Sequence, residues 1–297
     1  IKRKKPSNLD GVKAVIIDEI FQLKHYQLIE IEKRRREHPS IRFFATGDPN
    51  QLDSINDIIK NDRKQLCLTS KYLFPTVLNL ALNKRINEED LARYERLVAE
   101  LRECTTQEMV TSFVRKHFSH NLVSSIHQMN KLGFTRAISY RTRSRDTLNS
   151  IFHENISHGI KVAPIANHFD LHKGDFLRCR HSVDLQPSSK EEDTVVRKGY
   201  TYVVVKGGAS SITLEDVLYH KTYDLTHDQI INFFRLPYCN TAHAAQGLSI
   251  NHKYIIVDWQ TCEHVDWRWL YTVISRCKRL DDIYFADFAH HRGLANL

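Results

Sequence analysis

Two acidic residues, Asp18 and Glu19, stand directly after an apolar segment and are the first candidates for chemistry. The residues before them, 12–17, read VKAVII, a run rich in β-branched side chains with no helical period. This pattern predicts a strand buried on both faces, as in a parallel sheet. Paired carboxylates at the end of such a strand can hold Mg²⁺ and orient an attacking water molecule. The alternative is two solvated acids at a strand end.

A second polar group follows the next predicted strand. Residues 41–48 read IRFFATGD, and Asp48 and Gln51 stand at the end of this segment. Residues 21–38 predict a helix between the two strands, with the charged run EKRRRE on its exposed face. The order strand, helix, strand predicts a parallel sheet. Ligands bind at the carboxyl ends of such strands, so we expect Asp48 and Gln51 beside the first carboxylate pair.

A third group lies near the other end of the chain. Residues 241–250 read TAHAAQGLSI, and residues 267–280 predict a helix, WRWLYTVISRCKRL, that carries Arg276. The small residues around Gly247 allow the backbone to approach a ligand closely. The turn at 241–250 opens a predicted helix, whose free N–H groups favour anions.

These motifs resemble those of superfamily 1 helicases. The strand that ends in Asp18 and Glu19 is similar to motif II of that family, and GDPNQL at residues 47–52 is similar to motif III. The resemblance implies that Asp18 binds Mg²⁺, that Glu19 acts as the base, and that Gln51 senses the γ-phosphate of ATP. It also implies movement on single-stranded DNA coupled to ATP hydrolysis.

The later motifs extend the resemblance and favour the RecD-like branch, whose motif V has the form TAHAAQG. In motif V, Thr241 and His243 would contact DNA phosphates, and Gln246 would lie near the nucleotide. The segment YTVISRCKR matches motif VI, in which Arg276 would cross the cleft to ATP as an arginine finger. The alternative for Arg276 is a structural salt bridge. The implied ATP site comprises Asp18, Glu19, Asp48, Gln51, Arg85, Gln246, Gly247 and Arg276.

Three further arginines have weaker assignments. Arg85 follows residues 66–86, an apolar segment predicted as a helix, and resembles a family motif whose arginine reaches the γ-phosphate. Its alternative is an arginine that complements the helix dipole. Arg141 and Arg143 follow a predicted strand in the region that, in the family, lies beside single-stranded DNA. Their alternative is a solvated surface position.

The resemblance implies an α/β fold of tandem RecA-like (P-loop NTPase) domains. Residues 1–86 would form the later part of the first domain, residues 87–132 a helical connection, and residues 133–297 the second domain. Between about 171 and 236 the sequence changes to short, evenly spaced β segments separated by glycine and serine. This pattern predicts a small barrel-like insertion, similar to the SH3-like insert of RecD-like enzymes.

Composition sets further bounds. The formal net charge is +8 and the pI is near 9.1, which suits phosphate backbones. No apolar run approaches the ~20 residues that span a bilayer, so no membrane partner is expected. The six cysteines show no C-x-x-C spacing, which argues against a zinc site and favours a reducing intracellular compartment, nucleus or cytoplasm. The cysteines are Cys67, Cys104, Cys179, Cys239, Cys262 and Cys277.

The sequence contains no G-x-x-x-x-G-K-[ST] phosphate-binding loop, which should precede the Asp18 strand. We therefore expect a fragment that does not hydrolyse ATP alone, although the family member would use ATP and Mg²⁺. Expected partners are single-stranded DNA or a DNA fork, with replication or repair proteins. Two alternatives are a nucleic-acid-binding or partner-binding module without ATPase activity, and a degenerate remnant of a viral or mobile-element helicase.

Overall fold

The computed structural model describes residues 9–52, 72–80, 83–156, 160–165, 169–184, 195–208, 210–261 and 265–288. These residues form a mixed α/β fold with two parallel sheets, one five-stranded antiparallel sheet and two antiparallel sheets of two strands each. This architecture confirms the predicted α/β class. None of the described helices has the length and apolar character needed to cross a membrane.

The first sheet pairs β1 (Ala14–Ile17) with β2 (Arg42–Ala45) in parallel. Ile17 lies opposite Ala45, so the two strands end at the same edge. The connection holds a 3₁₀ turn and helix α1 (His25–Glu37), which begins later than the helix predicted over 21–38. The side chain of Gln27 fixes this start, because its Oε1 accepts a hydrogen bond from the Lys24 N–H at 2.8 Å.

The prediction that both strands are buried on two faces is wrong for the described residues. Ile16 is 72% exposed and Phe44 is 51% exposed. Ile17 and Ala45, on the opposite face, pack against a small core that contains Ile20 and Leu28. Helix α1 supplies that core, and no described element covers the face of Ile16 and Phe44.

The helix predicted over residues 66–86 is also wrong for residues 74–80, which have no regular secondary structure. Pro75 gives the reason, because proline disfavours the helical conformation of the residue before it. Leu80 is 94% exposed, so this stretch packs no apolar face. Residues 66–71 and 81–82 lie outside the described part of the chain.

Residues 87–132 form the expected helices, namely α2 (Glu88–Arg102), α3 (Gln107–His117) and α4 (Ile126–Leu132). Thr106 and Ser125 cap α3 and α4, each accepting a hydrogen bond from a backbone N–H of the first turn. A short strand, β3 (Leu122–Val123), lies between α3 and α4 and joins the second sheet. This segment is therefore more than a helical connection.

The chain then enters β4 (Ala137–Ser139) and the long helix α5 (Thr142–Ile156) before the β-rich part. That part contains β5 (Lys161–Ile165), β6 (Phe169–His172), β7 (Phe176–Cys179), β8 (Val183–Asp184), β9 (Val195–Val196), β10 (Thr201–Gly207), β11 (Ser211–Asp216), β12 (Thr222–Thr226), helix α6 (His227–Phe233) and β13 (Phe234–Arg235). Five of these strands form an antiparallel sheet in the order β12-β11-β10-β7-β13. The small β unit expected between residues 171 and 236 is therefore present.

A buried hydrogen bond joins α5 to this β unit. The Nε2 atom of His153 lies 2.7 Å from Oδ2 of Asp175, and both side chains are almost fully buried. The same carboxylate oxygen accepts a hydrogen bond from the His172 N–H at 2.7 Å, which closes the turn between β6 and β7. The β unit is thus attached to the helix that follows β4.

The chain returns to the second sheet through β14 (Cys239–Thr241), the one-turn helix α7 (Ala242–Ala245), β15 (Tyr254–Ile256), helix α8 (Trp267–Ile274) and β16 (Ile283–Ala286). The strands lie in the order β14-β4-β15-β16-β3, and all neighbouring pairs are parallel. Apolar cores cover both faces. One core contains α5 and the β unit, and the other contains α2, α3 and α8.

Candidate functional site

Asp18 and Glu19 lie where β1 ends, beside the end of β2. Asp18 is exposed. Its Oδ1 accepts hydrogen bonds from the Glu19 N–H at 3.0 Å and from the hydroxyl of Thr46, the residue after β2. Its Oδ2 accepts none from the described residues. Asp18 therefore presents a pre-oriented carboxylate oxygen, the type of ligand that Mg²⁺ prefers.

Glu19 has an unusual backbone and an unusual carboxyl group. Its φ of 53° and ψ of 50° place it in the left-handed region, which costs a non-glycine residue on the order of 1–3 kcal/mol. Burial raises the pKa of the Glu19 carboxyl, and the neighbouring Asp18 raises it further, whereas Arg276 and Gln22 act in the opposite direction. A strained, half-buried carboxyl with a raised pKa is typical of a functional base.

Gly47 permits the close crossing of the two strand ends. A Cβ atom at this position would lie 2.9 Å from Cδ2 of Phe21 and 3.2 Å from the backbone nitrogen of Ile20. That nitrogen donates a hydrogen bond to the carbonyl oxygen of Thr46 at 2.8 Å. The absence of a side chain at Gly47 therefore lets the segment after Glu19 pack directly on the end of β2.

Asp48 is the centre of a hydrogen-bond network beside these residues. Its Oδ1 accepts from the backbone and side-chain nitrogens of Asn50 at 2.9 and 3.0 Å. Its Oδ2 accepts from the Gln51 amide at 3.3 Å and from the hydroxyl of Tyr271, in α8, at 2.6 Å. The Tyr271 bond links the end of β2 to the helix that precedes Arg276.

Two further hydrogen bonds join the same regions. The Leu52 N–H donates to the Thr272 hydroxyl at 3.2 Å, across a sequence separation of 220 residues. The side-chain amide of Gln246 donates to the Leu52 carbonyl at 3.1 Å. The segment after β2 therefore contacts both the 241–250 motif and helix α8, and we refer to the polar interface between them as the cleft.

Arg276 lies in the interior of this contact and is 0% exposed. Its Nε donates to the Thr272 carbonyl at 2.9 Å, and Nη2 donates to the Ser275 hydroxyl at 2.7 Å. Burial lowers the pKa of the guanidinium, and the nearby charge of Arg85 lowers it further. No carboxylate of the described residues lies within salt-bridge distance, so the alternative of a structural salt bridge finds no partner there.

Arg85 is held against the 241–250 motif and the residue that follows helix α8. Its Nε donates to the Ser249 hydroxyl at 3.0 Å, and its Nη1 donates to the Ser275 carbonyl at 2.9 Å. The charge of Arg85 lowers the pKa of Arg276, so the two guanidinium groups lie near each other. Such a pair favours an anionic ligand.

The 241–250 motif forms a tight turn at the end of β14. The Thr241 hydroxyl caps helix α7 by accepting a hydrogen bond from the Ala244 N–H at 3.4 Å. His243 is half-buried, and Gly247 takes a positive φ of 77° that favours glycine. The expected helix is a single turn, so its N-terminus is too short to serve as an anion site.

The predicted nucleic-acid residues lie along one edge of the second sheet. Thr241, at the end of β14, is paired in register with Ser139, at the end of β4, which leads to Arg141 and Arg143. Both arginines are exposed, and Nη2 of Arg141 donates to the Thr261 carbonyl at 3.0 Å. These residues therefore share a surface, and their role in binding stays a prediction.

The structure adds four residues that the sequence motifs did not identify. Thr46 orients Asp18, Tyr271 orients Asp48, and Thr272 contacts Leu52. Tyr94, in α2, lies close enough to Tyr271 for the two hydroxyl groups to affect each other's pKa, and burial raises the pKa of Tyr94 to about 12. Tyr271 and Thr272 lie in the motif VI segment, so their closeness to Arg276 in the sequence could have identified them as site residues. Nothing in the sequence indicates that Tyr94 belongs to the site.

The cleft contains three buried polar atoms with no hydrogen-bond partner among the described residues. They are Nη1 of Arg276, Oε1 of Gln51 and Oε1 of Gln246. A buried polar group without a partner costs about 1–3 kcal/mol, so a polar ligand would stabilise this arrangement. An anionic oxygen fits the arginine N–H, and hydroxyl, amino or water donors fit the two amide oxygens.

No protein-family model matches the chain, and no curated protein matches it by sequence. Solved structures of Pif1 helicases are similar in fold. One, from work on DNA unwinding at forked double-stranded DNA by two coordinating Pif1 helicases, has a TM-score of 0.63 and 16% identity, with 93% of this chain and 70% of that chain covered. The structure of Bacteroides Pif1 bound to single-stranded DNA has a TM-score of 0.62 and 18% identity, with 95% of this chain and 74% of that chain covered.

A complex of Bacteroides Pif1 helicase with ADP-AlF3 and single-stranded DNA has a TM-score of 0.54 and 15% identity, with 96% of this chain and 74% of that chain covered. At such identities the likeness shows the fold. The described part of the chain thus has the RecA-like fold of P-loop NTPases, in agreement with the predicted fold class.

Proposed function

We propose that this chain belongs to an ATP-dependent superfamily 1 DNA helicase or translocase that couples ATP hydrolysis to movement on single-stranded DNA. The observation that carries the proposal is Arg276, a fully buried guanidinium with no salt-bridge partner among the described residues and one unpaired N–H. It faces the same region as Glu19, which lies more than two hundred residues away in sequence. A pair of this kind suits phosphoryl transfer between two domains.

In this proposal each residue of the cleft has a defined task. Asp18, oriented by Thr46, would hold Mg²⁺, and Glu19 would accept a proton from the attacking water. The metal, when bound, would neutralise phosphate charge. Arg85 and Arg276 would donate hydrogen bonds to phosphate oxygens, and Gln51 would sense the γ-phosphate. Asp48 accepts hydrogen bonds from both Gln51 and Tyr271, so it would position these side chains and take no direct part in the reaction.

The coupling to DNA would pass through the contacts that join the two halves of the site. Leu52 is hydrogen-bonded to Thr272 and Gln246, so a shift of the segment after β2 would move the 241–250 turn. Thr241 and His243 on that turn, with Arg141 and Arg143 on the same edge, would contact DNA phosphates. The likeness to Pif1 helicases bound to single-stranded or forked DNA supports this surface.

Three finer assignments belong to the same proposal. The form of the 241–250 motif favours the RecD-like branch. The scattered cysteines favour a reducing intracellular compartment, the nucleus or cytoplasm. Replication or repair proteins are the natural partners of such an enzyme.

The test is the Glu19→Gln variant of the full-length protein. Removal of the base should lower DNA-stimulated ATP hydrolysis by about 10²–10⁴-fold, while the affinity for single-stranded DNA stays unchanged. The matched control is Glu154→Gln, an exposed glutamate on α5 that should leave both quantities unchanged. Unaltered hydrolysis in Glu19→Gln would refute the role of Glu19 as base.

A second candidate function is nucleic-acid binding without ATP turnover. The observation that favours it is the formal net charge of +8, which attracts phosphate backbones whether or not ATP is bound. Residues 1–297 would then bind single-stranded DNA with an affinity that ATP does not alter. Measurement of DNA affinity with and without ATP and Mg²⁺, together with ATP hydrolysis by the full-length protein, separates the two functions.

A further inference from the structure

A second pocket lies between helix α5 and the antiparallel β sheet, and it shares no residue with the cleft described above. Its volume is about 360 Å³, which lies in the range of pockets for small ligands. Arg145 lines it from α5, Arg180 from the end of β7 and Arg235 from β13. Apolar side chains, including Phe234 and Leu236, form much of the remaining wall, and the polar residues Asp146, Asn149 and Ser150 complete it.

The charge of this pocket is not balanced within the described residues. Arg145 is paired with Asp146, the one acidic residue of the lining, at 2.6 Å between Nη2 and Oδ1. Arg180 and Arg235 have no carboxylate within 4.0 Å in the part of the chain that the structure describes. The pocket therefore carries an excess of positive charge beside apolar walls.

The strand pairing adds a further arginine. Arg178 of β7 lies directly opposite Arg235 of β13 in the antiparallel register. Like charges in directly opposite positions destabilise a sheet. The Nε atom of Arg235 is also buried without a hydrogen-bond partner. Burial lowers the pKa of Arg235 to about 10, with Arg145, Arg178 and Arg180 acting in the same direction, so it remains charged at neutral pH.

An anion in the pocket would remove both unfavourable features. It would neutralise the facing arginines and accept the unpaired N–H of Arg235. Guanidinium groups bind phosphate oxygens through paired, planar hydrogen bonds, which makes phosphate the best match among common anions. The apolar wall beside the arginines would suit the sugar or base attached to that phosphate.

We propose that this pocket binds a nucleotide unit, with its phosphate against Arg180 and Arg235 and its sugar or base against Phe234 and Leu236. The unit could belong to a nucleic-acid strand or be a free nucleotide. In the first case the inference rests on the DNA-binding half of the proposed function, since Arg141 and Arg143 lie at the start of the same helix.

The test uses the full-length protein and the Arg235→Gln variant, with Arg102→Gln as a charge-matched control on the exposed surface of α2. The two probes are thymidine monophosphate and a thymidine oligonucleotide of about ten nucleotides, a length within common single-strand site sizes. Binding is measured by titration at fixed salt, and unfolding of the ligand-free protein by thermal melting.

We expect Arg235→Gln to bind one of the probes about 10- to 100-fold more weakly, the factor for one charge-assisted hydrogen bond. Its melting temperature without ligand should be equal to or above that of the unmodified protein, because the facing charges are gone. A loss confined to the oligonucleotide identifies a strand as the ligand, and a loss for the monophosphate identifies a free nucleotide. Arg102→Gln should change neither quantity.

Unchanged affinity for both probes would overturn the inference. A lower melting temperature together with that unchanged affinity would identify Arg235 as a structural arginine. Should Arg235→Gln fail to fold, the exposed Arg180→Gln variant gives the same binding test. Neither measurement involves ATP hydrolysis, so failure of the proposed catalysis would leave this test interpretable.

Discussion

Replacement of Arg276 by methionine separates a catalytic arginine from a structural one. Methionine fills a similar elongated space without a charge. The change removes two hydrogen bonds, to the Thr272 carbonyl and the Ser275 hydroxyl. Each contributes about 1.5–3 kcal/mol, because the donor is a charged guanidinium. It also removes a buried charge and the Nη1 nitrogen without a partner, and burial of these groups costs on the order of several kcal/mol.

These contributions nearly cancel, so the free energy of unfolding should change by no more than about 1 kcal/mol. An arginine in a buried salt bridge behaves differently, because its removal leaves an unpaired charge and costs about 3–5 kcal/mol. In contrast, loss of an arginine finger lowers the rate on the order of 10³–10⁵-fold. This factor corresponds to about 4–7 kcal/mol of transition-state stabilisation.

The assay is urea unfolding together with DNA-stimulated ATP hydrolysis, both on the full-length protein. Arg279→Met is the matched control, since Arg279 lies three residues further on and is exposed. It should leave stability and hydrolysis unchanged. A loss of 3 kcal/mol or more in Arg276→Met, with hydrolysis retained, would show that Arg276 is structural and refute the reasoning.

Three further predictions follow from single contacts. The pKa of the Glu19 carboxyl is raised in the native state, so the protein loses stability as pH rises from 4.5 through that native pKa. The Glu19→Gln variant should therefore be more stable than the unmodified protein at neutral pH but not below pH 4.5. An equal change in melting temperature at every pH would contradict this. Gly47→Ala should lower the free energy of unfolding by about 1–3 kcal/mol through overpacking. The control Gly208→Ala should leave it unchanged, because the added Cβ would approach no atom closer than 3.9 Å. Equal midpoints of the two variants in urea unfolding would refute the close crossing at Gly47. Tyr271→Phe should cost about 1–3 kcal/mol in urea unfolding through loss of the bond to the Asp48 carboxylate, and unchanged stability would show that this bond contributes nothing.

Local patterns in the sequence were sufficient for the α/β class and for the parallel pairing of the first two strands. The apolar runs before Asp18 and Asp48, with a helical segment between them, predicted two parallel strands that end at one edge. The short, evenly spaced segments after residue 171 predicted the β unit. These features are encoded by periodicity and by breaker residues along the chain, which act over a few neighbouring positions.

Local patterns gave wrong predictions where burial or secondary structure depends on the elements that pack around a segment. The runs around Ile16 and Phe44 are apolar enough for full burial, yet only one face is covered in the described structure. Burial depends on which elements pack on a strand, and the strand's own sequence does not contain that information. The apolar content of residues 74–80 likewise suggested a helix, but Pro75 disfavours that conformation.

The resemblance to superfamily 1 helicases implied that Asp18, Glu19, Gln51 and Arg276 act together, and their catalytic roles stay predictions. Only the tertiary structure revealed how they are held. Tyr271 reaches Asp48 across 223 residues, and Thr272 reaches Leu52 across 220. It alone also placed Arg178 opposite Arg235, because strand register is fixed by packing of the whole sheet. Residue types and spacing determine which groups are available for chemistry, but contacts between distant segments decide which of them meet, because those contacts depend on the packing of the entire chain.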